Sequence, residues 1–163
     1  MDERTLVLSV KPRFAAKLLG GEKTVELRRI LPRRTKPGDL LLIYSTAPET
    51  RFVGFCRVTK VLLGSPDTLW PQVQGSAGVT HAEYRQYFGN ASRAVGIEVE
   101  QPVRLLAELS LEESRTHAPD FRPPQSFRYL SSLDEKLREM LHSSMQRAKA
   151  GQTRSAESAP GLG

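Results

Sequence analysis

Lys23, Glu26 and Arg28, set behind the glycine pair Gly20-Gly21, are the residues of this chain best suited to chemistry. On an extended strand, residues two apart share a face and residues three apart do not. Glu26 and Arg28 therefore pair, and Lys23 joins them only where the glycine turn or a bulge reorients it. Such a group has two chemical uses. In one, the carboxylate accepts a base's exocyclic amine while the guanidinium forks a phosphate. In the other, Glu26 is a general base and Lys23 stabilises an oxyanion. The plainer reading is an exposed ion pair at a strand entrance, worth less than about 1 kcal/mol.

The surrounding segment, residues 11–36, holds nine basic residues against Glu22 and Glu26, a balance of +7, while all 163 residues together carry +6. A positive excess confined to one segment makes a local field that attracts polyanions. Lys11, Arg29, Arg33 and Arg34 are candidate phosphate contacts, which bind without reading sequence and weaken with salt. A solvated basic loop is the alternative for Arg33 and Arg34. Tyr44 either stacks a base or is partly buried core with its hydroxyl bonded, and the core reading is preferred. Trp70 also reads as core. His81, His117 and His142 are scattered, without carboxylates or cysteines at ligand spacing, so no metal is expected, and no cofactor motif occurs. Cys56 is the sole cysteine, which excludes an intrachain disulfide. It lies in an apolar alternation and reads as a buried structural thiol.

The elements that position these residues follow from punctuation and period. Thr5–Val10 is β-branched and apolar, a strand that ends on Lys11. Pro12 opens a helix with Phe14, Leu18 and Leu19 on one face, and Gly20-Gly21 stops it. Residues 23–30 alternate as a half-buried strand. Leu40–Ser45 is apolar on both faces, hence central. Residues 51–63 form a long strand in which Gly54 marks a bulge or a close approach. Helices follow at 65–75, capped by Ser65, and at 80–88, with a capping box from Thr80 to Glu83. A strand at 94–99 follows, then an edge strand or docking segment at 126–130. An amphipathic helix at 132–145 is expected to be capped by Ser132 and Glu135, with Leu133, Leu137, Met140 and Leu141 as its stripe. Ser126, Arg128 and Tyr129 close over a cleft or pin this helix, the second being preferred. Residues 147–163 are small and polar and are expected to be disordered. This order does not suit a doubly wound sheet; it fits a curved, mostly antiparallel sheet or barrel with helices plugging it.

The run Leu8-Ser9-Val10-Lys11-Pro12, then Gly20-Gly21-Glu22-Lys23-Thr24-Val25-Glu26-Leu27-Arg28, then Lys36-Pro37-Gly38-Asp39 and Ile43-Tyr44, resembles the ASCH (activating signal cointegrator homology) family of the PUA-like superfamily. The resemblance spans roughly residues 5–109, and residues 123–130 resemble an extension that some members carry. It implies an α+β fold, a small PUA-like β-barrel with flanking helices, in one domain over residues 1–146 with an extension from 110. It also implies a cleft beside the first helix that faces nucleic acid, RNA favoured over DNA, or a nucleoside. Lys11, Lys23, Glu26, Arg28, Arg29, Arg33, Arg34 and Tyr44 are the residues it would place there. Some members are enzymes, so the alternative is a hydrolase of N4-acetylcytidine type or a ribonuclease using Lys23 and Glu26. Glu26 stands where the amidohydrolase branch has a threonine. A third possibility is an interaction module that presents the Leu137–Leu141 stripe to a partner. No signal peptide or apolar run long enough for a membrane span is present, and a cytoplasmic location is expected; the oligomeric state is not fixed.

Overall fold

The structure is a computed structural model and describes residues 4–157. Its frame is one six-stranded sheet. β1 (Thr5–Val10) leads into α1 (Pro12–Leu19), β2 (Val25–Arg28), β3 (Leu40–Ser45) and β4 (Arg51–Gly64). Two helices follow, α2 (Pro66–Val73) and α3 (His81–Phe88), then β5 (Ala94–Ser110), α4 (Leu111–His117), β6 (Phe127–Tyr129) and α5 (Glu135–Glu157). The spatial order is β2-β5-β4-β3-β1-β6. Only β1 and β3 run parallel, because the α1–β2 excursion returns the chain to the end where β1 began. The other four pairings are antiparallel. The sheet is mixed and curls into the half-barrel of a PUA-like fold.

Both faces of the central strands are covered, which is why Leu40–Ser45 is apolar without alternation. Leu6, Leu8, Val10, Leu41, Ile43, Cys56 and Ile97 face α1 and pack with its Ala15, Leu18 and Leu19. Val7, Leu42, Tyr44, Phe52 and Phe55 face the other way, against Leu137, Leu141 and Met145 of α5. A third cluster joins Val25 and Leu27 of β2 to Leu69 and Val73 of α2 and Tyr84 and Phe88 of α3. The α1 face depends on Gly54. A Cβ there would stand 2.5 Å from Leu19 Cδ2 and 2.5 Å from the Val103 carbonyl oxygen. The β4–β5 register shifts at this point, between Phe52 and Gly54.

Local punctuation was largely legible: Ser65 and Thr80 cap α2 and α3 through the N3 backbone, and Pro66 stands in the first turn of α2. The structure departs from the expectations in several places. β5 does not stop at residue 99 but runs on to Ser110, since its second half pairs with the start of β4 and offers Val103, Leu105 and Leu109 to the α5 cluster. α4, with Ser110 as its cap, was not anticipated. α5 is capped not by Ser132 but by Asp134, whose Oδ1 accepts the Lys136 N–H at 3.0 Å; the Ser132 hydroxyl donates to the Tyr129 carbonyl. The helix also continues to Glu157, through residues expected to be disordered. Buried Ala148 extends its packing onto β5, and a helix with tertiary contacts tolerates weak local propensity. The rest of that expected tail, residues 158–163, lies outside the described residues. Leu137 and Leu141 are fully buried, so the stripe is spent on the sheet and is not a free partner surface.

Candidate functional site

Gly21, at φ +80°, turns the chain out of α1, and the Lys23 N–H donates to the Lys17 carbonyl at 3.1 Å. β2 begins only at Val25. Lys23 is therefore not bound by strand alternation and can point to the same side as Glu26. Glu26 and Arg28 pair with Ile97 and Val95 of β5, both on the α1 face, and cross-strand partners share a face. All three side chains thus meet under α1. Arg28 Nη2 lies 3.1 Å from Glu26 Oε1, and Lys23 Nζ lies 3.7 Å from Glu26 Oε2.

The group is buried, not exposed: Lys23, Glu26 and Arg28 retain 2%, 6% and 8% of their surface. The solvated ion-pair reading is thereby excluded. Lys23 Nζ donates to the Ala77 carbonyl at 2.5 Å and stands 5.2 Å from the Phe14 ring centroid. Burial pulls the Lys23 pKa down from its ordinary value; the Glu26 charge opposes this, and the Arg28 and Lys17 charges reinforce it. Two atoms of the group are left without hydrogen bonds, Glu26 Oε2 and Arg28 Nε. Buried polar atoms are nearly always bonded, so the carboxylate oxygen Oε2, with only the Lys23 ion pair at 3.7 Å, keeps an acceptor position to spare.

Arg28 does more than neutralise Glu26. β2 and β6 are the two edges of the sheet, with no ladder between them. Arg28 Nη2 donates to the Ser9 carbonyl at 2.9 Å, and Nη1 lies 3.3 Å from Ser126 Oγ and 3.4 Å from the Ser126 carbonyl. One guanidinium thus bridges the seam of the half-barrel. The Arg34 N–H donates to Tyr129 Oη at 3.0 Å, holding the basic loop over the same edge. In the 126–130 segment, Ser126 and Tyr129 bond Arg28 and Arg34, while Arg128 bonds Ser132 ahead of α5.

Lys11, Arg29, Arg33 and Arg34 are exposed. Lys11 follows Ser9 by two residues at the N-terminus of α1, and Arg29 follows Arg28 directly, so both flank the seam. Arg28, expected to fork a phosphate, here bonds Glu26, Ser9 and Ser126. Tyr44 is not brought to the group. It faces α5, is 2% exposed and meets Phe52 edge-on at 5.1 Å. Its hydroxyl is buried without a partner, contrary to the bonded hydroxyl expected, and burial raises its pKa. Cys56 is core as read, its thiol pushed up to about 12 by burial and by the Glu26 charge. No cluster of three or more metal-ligating side chains occurs among the described residues. No helix among them is long and apolar enough to cross a membrane. Sequence reasoning gave Ser9, Phe14 and Ala77 no part in the site; each touches the group only through tertiary placement.

The ASCH domain model matches residues 8–103, the stretch that contains the group and both strands beside it. An "ASCH domain-containing ribonuclease" of Zymomonas mobilis is 30% identical over 131 residues, covering 79% of this chain and 86% of that protein. The crystal structure of ASCH from Zymomonas mobilis is 28% identical, with a TM-score of 0.75 over 87% of this chain and 96% of that one. Human THYN1, crystallised in complex with 5-methylcytosine-containing DNA, is 10% identical with a TM-score of 0.54, covering 86% of this chain and 96% of that one. At that identity the likeness is one of fold alone. The motif, the half-barrel and the matched residues together make this chain a member of the ASCH domain family.

Proposed function

We propose that this protein binds nucleic acid at the seam between β2 and the β1–β6 edge, with single-stranded RNA or a flipped nucleotide as the preferred ligand. The observation that carries this reading is the buried Glu26 carboxylate, held between Lys23 and Arg28 with Oε2 making an ion pair but no hydrogen bond, and flanked by the exposed Lys11, Arg33 and Arg34. Glu26 Oε2 accepts a base amine, as Watson–Crick edges are read in single strands. Lys11, Arg33 and Arg34 hold phosphates outside, while Arg29, expected among them, has its guanidinium held on Tyr87. The seam is the way in, because side-chain bonds rather than a backbone ladder close it. Arg28 and Ser126 exchange their mutual bonds for bonds to the ligand as it enters.

Anisotropy titrations with single-stranded RNA, single-stranded DNA and a duplex test this. Affinity falls more than about tenfold between about 50 and 200 mM salt if several phosphates are held. Binding that ignores salt, or no binding to any of the three, defeats the reading.

A second reading, cleavage of the bound RNA, is favoured by the Zymomonas relative named as a ribonuclease. Glu26 would take the proton of the attacking 2′-hydroxyl as its oxygen bonds phosphorus, the P–O5′ bond would break, and the leaving O5′ would take a proton from water, with Lys23 and Arg28 stabilising the anionic transition state. Incubation of RNA with the wild type and with Lys23→Ala and Glu26→Gln decides it. Cleavage that is absent, or that survives both substitutions, rules it out.

A further inference from the structure

Immediately outside the buried group stands an arrangement to which neither motif nor charge pointed. Arg29, exposed at the end of β2, lays its guanidinium 4.6 Å from the Tyr87 ring centroid. It is not free to swing. Its Nε donates to the Tyr87 carbonyl at 2.9 Å, and Nη2 donates to the same oxygen. Tyr87 is fixed in turn: its hydroxyl donates to the Leu27 carbonyl at 3.3 Å, and Phe88 meets its ring edge-on at 4.9 Å. Leu27 stands between Glu26 and Arg28 in β2, so the hydroxyl bond ties the Tyr87 ring to the strand that carries the buried pair.

A guanidinium is a planar, weakly hydrated cation on which nucleobases stack. Here one face lies on tyrosine, and the position is set by two hydrogen bonds to a single carbonyl. A surface arginine whose only task is charge has no need of that immobilisation, since ordering its side chain costs conformational entropy. Arg28 and Arg29 are consecutive, one buried in the seam and one exposed beside it.

We propose that the Arg29–Tyr87 pair is a second, flanking subsite, stacking the base next to the one at Glu26. The ligand is then a single strand of at least two nucleotides rather than a free nucleoside. This rests on the nucleic-acid reading above, and the test separates the two. A short single-stranded RNA of mixed sequence and a cytidine mononucleotide competitor are titrated against wild type, Arg29→Ala and Arg29→Lys, with folding checked by thermal melts. Lysine keeps the charge and removes the plane, so Arg29→Lys is expected to weaken the oligonucleotide about fivefold or more, nearly as much as Arg29→Ala, while displacement by the mononucleotide is unchanged. Tyr87→Leu, which leaves the carbonyl in place, weakens the oligonucleotide as well. If Arg29→Lys behaves as wild type, or if oligonucleotide and mononucleotide weaken together, the subsite is refuted while nucleic-acid binding stands. Failure of the wild type to bind RNA at all removes both readings.

Discussion

Replacing Glu26 by glutamine keeps its shape and removes the only anion between two buried cations. At an effective dielectric of about 20, its attraction is about 5 kcal/mol to Arg28 at 3.1 Å and about 4 kcal/mol to Lys23 at 3.7 Å. Desolvation of three charges and the Lys23–Arg28 repulsion offset most of this. What remains on breaking the group is the cost of leaving buried charge uncompensated, about 3–5 kcal/mol. For a chain of this length each kcal/mol shifts Tm by about 2–4 °C, so Glu26→Gln is expected to melt about 6–20 °C lower. Urea unfolding followed by circular dichroism gives the free energy directly. Lys23→Met provides the contrast: it removes one cation, leaves Glu26 paired with Arg28, and is expected to cost less than Glu26→Gln. A Glu26→Gln loss under about 1 kcal/mol, the scale of a solvated pair, would show that water reaches the group and would refute this account.

The Lys23 pKa is lowered in the folded state, so the unfolded chain binds more protons between that pKa and 10.5, and Lys23's contribution to stability rises with pH through this window. In Glu26→Gln, which removes the opposing charge, the rise begins at lower pH; urea midpoints measured below pH 10, before the tyrosines titrate, test this. Gly54→Ala drives a Cβ into Leu19 and the Val103 carbonyl and is expected to destabilise by about 1–3 kcal/mol in the same unfolding assay. Cys56, with its thiol at about 12 and 1% exposed, is expected to resist iodoacetamide in the native protein and to react in denaturant, as mass spectrometry would read. Glu83, lowered to about 2 by the Thr80 backbone N–H and by Arg13, contributes stability that is present above 4.5 and lost as pH falls through about 2; its NMR titration is expected to move toward 4.5 in Arg13→Ala.

Local chemistry wrote what was legible in advance. Pro12, Gly21, Ser65 and Thr80 act within a turn of themselves, so the starts and stops of α1, α2 and α3 could be read from neighbouring residues. The spacing of Glu26 and Arg28 placed them on one strand face, which two-residue periodicity determines alone. The length of β5 and of α5 was not legible, because each is extended by the other: Val103, Leu105 and Leu109 face Leu137, Leu141 and Ala148 across more than thirty residues of chain.

Tertiary structure decided the site's character. Nothing in the order of residues says that the trio is enclosed under α1, that Ala77 supplies the carbonyl for Lys23, or that Arg28 spans to Ser126. Those contacts join segments that only the curling of the sheet brings together. Tyr44 shows the converse. Its motif neighbours resemble the family, yet its place in the alternation of β3 turns it toward α5, on the face away from Glu26. Sequence determined which side chains carry charge and which strand face they share. The closing of an open sheet by one arginine determined that those charges are buried together, since burial depends on what lies opposite a residue and not on what lies beside it.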